Sequence, residues 1–239
     1  MSQRPTGRSE SPAASAAPAF WAAGAILTGL AAGPLAGDAA ADRETGDAAR
    51  VDWAAGWVIA GGTGIADRHA PSPTVALGTS RRGAEDAARR RLAGAVGALP
   101  LASGGTLADR LGDAAVKARV DVAVGAAIAL AAEPETDGSW HVTLAVPLEA
   151  IRLALEAPRA LPAAGDHGPA VVVVDGVAAR PAIGWTVAGT AAATLWVREI
   201  PAWARDAPHV VARSARAGAI EAALPSGTPA TLYVVVTRR

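Results

Sequence analysis

The stretch VDVAVGAAIALAAEPETDGSWHVTLAVPL, Val120–Leu148, decides the fold. Val120, Val122, Val124, Ala126, Ile128 and Leu130 recur at every second position, and so do Trp140, Val142, Leu144, Val146 and Leu148. Period-two alternation places such residues on one face of an extended chain. Between the runs stands Asp137-Gly138, a dipeptide that favours the left-handed backbone of a tight hairpin turn. The spacing predicts an antiparallel hairpin: a strand from about Lys117 to Ala132, a turn over Glu133–Ser139 and a return strand over Trp140–Leu148. Its buried face should hold Val122, Val124, Ile128, Val142, Leu144 and Val146.

Upstream, Trp53–Ala60 reads as a strand with Trp53, Ala55, Trp57 and Ile59 on one side, ended by Gly61-Gly62-Thr63-Gly64. Ser72-Pro73 is a helix start, with Ser as N-cap and Pro at the first helical position. The helix should run to about Leu99. Ala84, Ala88, Leu92, Ala95, Val96 and Leu99 make its apolar stripe. The small residues on that stripe would let the helix lie close to a sheet. Arg81, Arg82, Glu85, Asp86 and Arg89–Arg91 fall mostly off it, and Glu85–Arg89 and Asp86–Arg90 are spaced as i,i+4 pairs. Pro100 stops the helix, and Leu101–Asp113 is irregular.

Downstream, Glu149–Glu156 patterns as a short helix, and Pro158 and Pro162 mark a boundary. Gly165–Arg239 reads as β-rich, with strands at Val171–Val174, Ala192–Glu199, Val210–Ala215 and Thr231–Thr237 and a helical turn over Gly218–Leu224. The expected fold class is α+β: one long helix packed on a curved antiparallel sheet, followed by a smaller β-rich region. The expected divisions are a leader over 1–41, a linker over 42–52, an α+β domain over 53–157 and a β-rich C-terminal region over 165–239.

The leader assignment rests on three features. Arg4 and Arg8 are basic, Ala19–Ala32 is apolar with Phe20, Trp21, Ile26, Leu27 and Leu30, and Ala39 and Ala41 fit an A-x-A cleavage site before Asp42. That is the layout of a secretory signal peptide, and the apolar run is shorter than the ~20 residues a bilayer span needs. The mature product would be periplasmic or secreted, with no stable membrane span. The chain has no cysteine, which excludes disulfides, thiolate metal sites, a cysteine nucleophile and a lipid-modified cysteine. Lys+Arg and Asp+Glu both number 22, without the basic excess of a nucleic-acid binder.

Candidate chemistry is sparse. Gly61–Gly64 after Val58-Ile59-Ala60 has the glycines of a phosphate-binding loop, but Asp67, His69, Pro71 and Pro73 separate it from the next helix, and no Gly-Lys-Ser/Thr follows. His69, His141, His167 and His209 show no metal-ligand spacing. His69 near Asp67 is the best acid/base pair by position. The arginine clusters read as a solvated helix face balanced by Glu85 and Asp86. The seven tryptophans read first as core, with an exposed subset marking an interface. No catalytic, cofactor-binding or metal-ligating residue is assigned, and no cofactor is expected.

The segments SRRGAEDAARRRLAGAV (Ser80–Val96), TLADRLGD (Thr106–Asp113), Val120–Leu148 with its Gly125 and its Val146-Pro147-Leu148 ending, and VVVVDGVAARPAI (Val171–Ile183) resemble the lipoprotein-20 family. Those are bacterial envelope proteins related in fold to the N-terminal part of flagellar assembly protein T and to flagellar protein P. The resemblance covers Trp53–Ile183. It implies a helix on a curved antiparallel sheet, a non-enzymatic envelope role often linked to flagella or surface structures, and frequent self-association. Many members are lipoproteins, and this chain has no cysteine to acylate. The expected function is therefore that of an exported, non-catalytic envelope protein whose partners are other envelope proteins or itself. A periplasmic small-ligand binder is the alternative, and an exported hydrolase the third reading.

Overall fold

The computed structural model describes residues 48–156, 171–224 and 231–238. All described residues belong to the second of the chain's two units, Asp42–Arg239. The leader, most of the linker, Pro158, Pro162 and His167 lie outside the described residues.

The second unit is α+β. In chain order it contains β1 (Arg50–Asp52), β2 (Trp57–Gly64), α1 (Pro73–Gly97), α2 (Ala114–Gly125), β3 (Ile128–Pro134), β4 (Trp140–Pro147) and α3 (Leu148–Leu155). These are followed by β5 (Val171–Val177), β6 (Thr186–Val187), β7 (Thr190–Ala191), β8 (Ala193–Val197), β9 (His209–Arg216), β10 (Ala219–Ala222) and β11 (Leu232–Thr237). The first sheet has the order β1-β2-β4-β3 and is antiparallel throughout. The second has seven strands, β7-β6-β10-β9-β5-β11-β8, and curls nearly into a barrel. The sheets carry more than one long helix: α1 and the short helix expected over Glu149–Glu156, α3, are joined by α2 among the described residues, and the C-terminal sheet is larger than the first rather than smaller.

Helix α1 begins where its signals place it. Ser72 is extended, and its Oγ accepts from the Val75 N–H at 3.3 Å. Its inward residues are Ser80, Ala84, Ala88, Leu92 and Val96, spaced every four. They lie on β2 and β4, whose matching positions pair as Val58 with Val146, Ala60 with Leu144 and Gly62 with Val142. Two glycines make this contact possible. A Cβ on Gly62 would come within 2.3 Å of the Ala84 carbonyl oxygen and the Ala88 nitrogen, and one on Gly64 within 1.8 Å of the Ser80 carbonyl oxygen. Backbone meets backbone, and the Ser80 hydroxyl donates to the Gly64 carbonyl at 2.7 Å.

The hairpin forms only in its second half. The turn and return strand are as expected: Gly138 has φ +84°, and the Asp137 carboxylate accepts from both the Ser139 N–H (2.9 Å) and its hydroxyl (2.6 Å). The expected first strand is helix α2 up to Gly125 and strand β3 only from Ile128. Asp113 decides the difference, because its Oδ1 caps the N–H groups of Ala115 and Val116. Val116, Val120 and Val124 then face the core at i,i+4 spacing, while Val122 turns outward and is 72% exposed. Ile128 is also exposed, so the buried face holds Val124, Val142, Leu144 and Val146 but neither Val122 nor Ile128.

Strand β2 starts four residues later than expected. Asp52 Oδ1 accepts from the Ala55 N–H, the Gly56 N–H reaches the Asp52 carbonyl at 2.8 Å, and Gly56 takes φ +78°. This loop makes β1 and β2 a small hairpin and carries Gly61–Gly64 into the strand.

In the second sheet β11 lies between β5 and the edge strand β8 and is buried on both faces, with Tyr233 and Val235 in one core cluster and Val234 and Val236 in another. It pairs in parallel with β5 and β8, as its unbroken apolar run suits. Gly218–Leu224 is not a helical turn. Ala217-Gly218 forms a two-residue loop between β9 and β10, with φ +50° and +80°, and Ala219–Ala222 is a strand. Ala188-Gly189 joins β6 to β7 in the same way, with φ +48° and +79°.

Candidate functional site

The residues that suggested chemistry are dispersed. Gly62 and Gly64 are occupied by the approach of α1, and Arg91 donates to the Gly61 carbonyl at 2.8 Å, so this segment serves packing. The His69 N–H closes a local turn onto Asp67 Oδ1 at 2.8 Å, and the ring is exposed. His141 Nδ1 lies 3.5 Å from Thr63 Oγ1 across the β2–β4 pair, and His209 Nε2 lies 3.2 Å from the Arg205 carbonyl. Among the described residues no three His, Asp or Glu side chains converge as metal ligands. Arg81 bonds Glu85 and stands over the Trp140 ring at 5.3 Å, while Arg89 pairs with Glu85 and Asp86.

Two surface features remain. The first is the outer edge of the first sheet. Strand β3 is its last strand, and no described strand pairs with its outer side. Ile128 and Leu130 are 48% and 46% exposed there. The register shifts between Ala129 and Ala131, so Leu130 is a bulged residue. A bulge twists an edge strand and narrows what can pair with it. The period-two spacing puts Val122 and Ile128 inside; the Asp113 cap, which makes Ala114–Gly125 a helix, is the signal that turns Val122 out.

The second feature is an open groove of about 580 Å³ where the edge strand β1 meets the edge strand β8. It is lined by Arg50, Asp52, Trp53, Arg198, Glu199 and Trp203, among others. The Trp196 N–H donates to the Trp53 carbonyl at 2.9 Å and ties the two edges together. Trp196 turns its ring inward against Trp185, with centroids 5.8 Å apart. Trp203 sits on a short 3-10 turn, Ala202–Ala204, anchored by buried Ala204, and is 49% exposed. Arg50 and Asp52 pair loosely at 3.9 Å.

Buried charge is concentrated elsewhere. Arg152 on α3 is buried and bonds Glu149 at 2.6 Å through Nε, and Glu156 through Nη1. Burial works against its charge, yet the two carboxylates hold the guanidinium more firmly protonated than usual. The cluster ties α3 to itself and faces neither feature. No protein-family model matches this chain, and no relative was found among curated proteins.

Proposed function

We propose that this chain is an exported, non-catalytic protein of the bacterial cell envelope that works through protein–protein contacts, in flagellar or other surface-structure assembly. The observation that carries the reading is the outer edge of β3, which no described strand pairs, with Ile128 and Leu130 on its surface. Unpaired edge groups beside apolar side chains are a template for strand addition from another chain. The leader pattern before Asp42 and the resemblance of Trp53–Ile183 to the lipoprotein-20 family point the same way. Its partners would be other envelope proteins or a second copy.

The test follows the protein from export to assembly. Cells are fractionated, the N-terminus of the product is sequenced, and the product is studied by light scattering over a concentration series. The expected product is periplasmic or secreted, starts at Asp42 and self-associates, and the double variant Ile128→Lys/Leu130→Lys is monomeric. A cytoplasmic product that keeps its leader would overturn the export reading. A protein that is monomeric at every concentration and captures no envelope partner would overturn the assembly reading.

A further inference from the structure

From the groove between β1 and β8 we infer a second, separate property: it is a binding site for a neutral oligosaccharide segment. The groove shares no lining residue with the β3 edge.

Size comes first. A groove of about 580 Å³ is in the range of small-ligand sites, roughly 300–1,000 Å³. It is open rather than enclosed, so a segment of a longer ligand can lie in it. Its aromatic groups come from separate elements, Trp53 from the β1–β2 loop and Trp203 from the 3-10 turn after β8. A half-exposed indole is costly to leave in water and offers a flat apolar face with a polar N–H at its rim. A pyranose ring is complementary to it, with one face of C–H groups and a periphery of hydroxyls.

The polar lining fits the same ligand. Arg50, Asp52, Arg198 and Glu199 supply two positive and two negative charges, so the groove has no net charge to attract an anion or a cation. Arg198 and Glu199 are exposed and pair with no described residue. A guanidinium donates and a carboxylate accepts, and a sugar hydroxyl does both.

A peptide is the competing occupant. Extended peptides gain affinity by adding a strand to a free edge. Here the Trp196 N–H is already bonded to the Trp53 carbonyl, so the β8 edge is closed at that residue. Recognition is left to side chains.

The experiment titrates the full chain with cellotetraose, maltotetraose and chitotetraose, following tryptophan emission, and with a proline-rich decapeptide as the rival ligand. At least one sugar should give a saturable shift. Trp203→Ala should weaken it by about tenfold or more, Trp203→Tyr should restore most of it, and Glu199→Gln should weaken it several-fold. Ile128→Lys/Leu130→Lys should leave it unchanged, which separates this site from the assembly edge. Unchanged thermal melting of Trp203→Ala would show that the loss is local. The inference is overturned if no sugar saturates the signal, if Trp203→Ala binds as tightly as the parent chain, or if only the peptide binds.

Discussion

Gly64 lies so close to α1 that the Ser80 carbonyl oxygen occupies the place a Cβ would need, at 1.8 Å. The obstruction is helix backbone, which cannot rotate away as a side-chain tip can. Overpacking of this kind typically costs 1–3 kcal/mol where neighbours can yield, so Gly64→Ala should cost about 3 kcal/mol or more. Denaturant unfolding should show this as a lower midpoint. A loss below about 0.5 kcal/mol would mean that the helix and strand are farther apart than described. The small-residue stripe of α1 was legible from Ala84 and Ala88, because small residues at helical spacing imply a close neighbour. That the neighbour is Gly62-Thr63-Gly64 was not legible. Glycine in sequence marks permission, whether for a turn, a ligand or a helix, and only the paired register of β2 and β4 shows which was used.

At the scale of elements, the hairpin tip depends on one carboxylate. The Ser139 hydroxyl and N–H both donate to Asp137, and these bonds hold its carboxyl below the ordinary value of 3.8. A group with a depressed folded-state value stabilises the fold above its unfolded value, and loses that contribution as pH falls through the folded value. The tip should therefore be fully supported at neutral pH and weaken only below about pH 4. Because Asp137 is exposed, the effect on global stability should be small and the effect on local order clear. Amide protection at Gly138 and Ser139, taken relative to the intrinsic exchange rate at each pH, should fall on acidification and should be low at all pH values in Asp137→Ala; protection that ignores both changes would contradict the assignment. The return strand, α1 and α3 were legible because their apolar spacing fits one period only. Helix α2 was not, since valines at 120, 122 and 124 satisfy the strand period, while 116, 120 and 124 satisfy the helix period. Where two periods share the same residues, the cap decides, and here Asp113 settles it.

The whole second unit is held together at more than one seam. Ile183 lies between β5 and β6, yet its side chain is buried in the first core. Its N–H donates to the Pro100 carbonyl at 2.9 Å, and its carbonyl accepts from the Ala102 N–H at 2.8 Å. Trp53 packs against both cores, and its carbonyl holds β8. The two sheets should therefore unfold in one transition. Ile183→Ala, expected to cost about 2–5 kcal/mol, should lower hydrogen-exchange protection in β2 and in β11 together. Two separate melting steps, or loss confined to one sheet, would contradict this. None of this seam was legible in the sequence, where Ala179–Ile183 is an unpatterned stretch and its partners Pro100 and Ala102 lie 83 and 81 positions earlier in the chain. The same applies to the groove: Trp53 and Trp203 were visible as tryptophans, but what sets them around one site is the meeting of two sheet edges.

The two-residue loops of the second sheet carry a further consequence, for how this chain can change. Both turn on Ala-Gly with the alanine in the left-handed region, at Ala188 and Ala217, where the backbone favours Asn or Asp. Every alanine codon becomes an aspartate or glutamate codon by one substitution at its second base. At two loops the alanine-rich composition has therefore left strain that a single nucleotide change can relieve. Drift toward aspartate at 188 or 217 would move the protein away from its stability threshold, giving it room to accept costlier substitutions elsewhere.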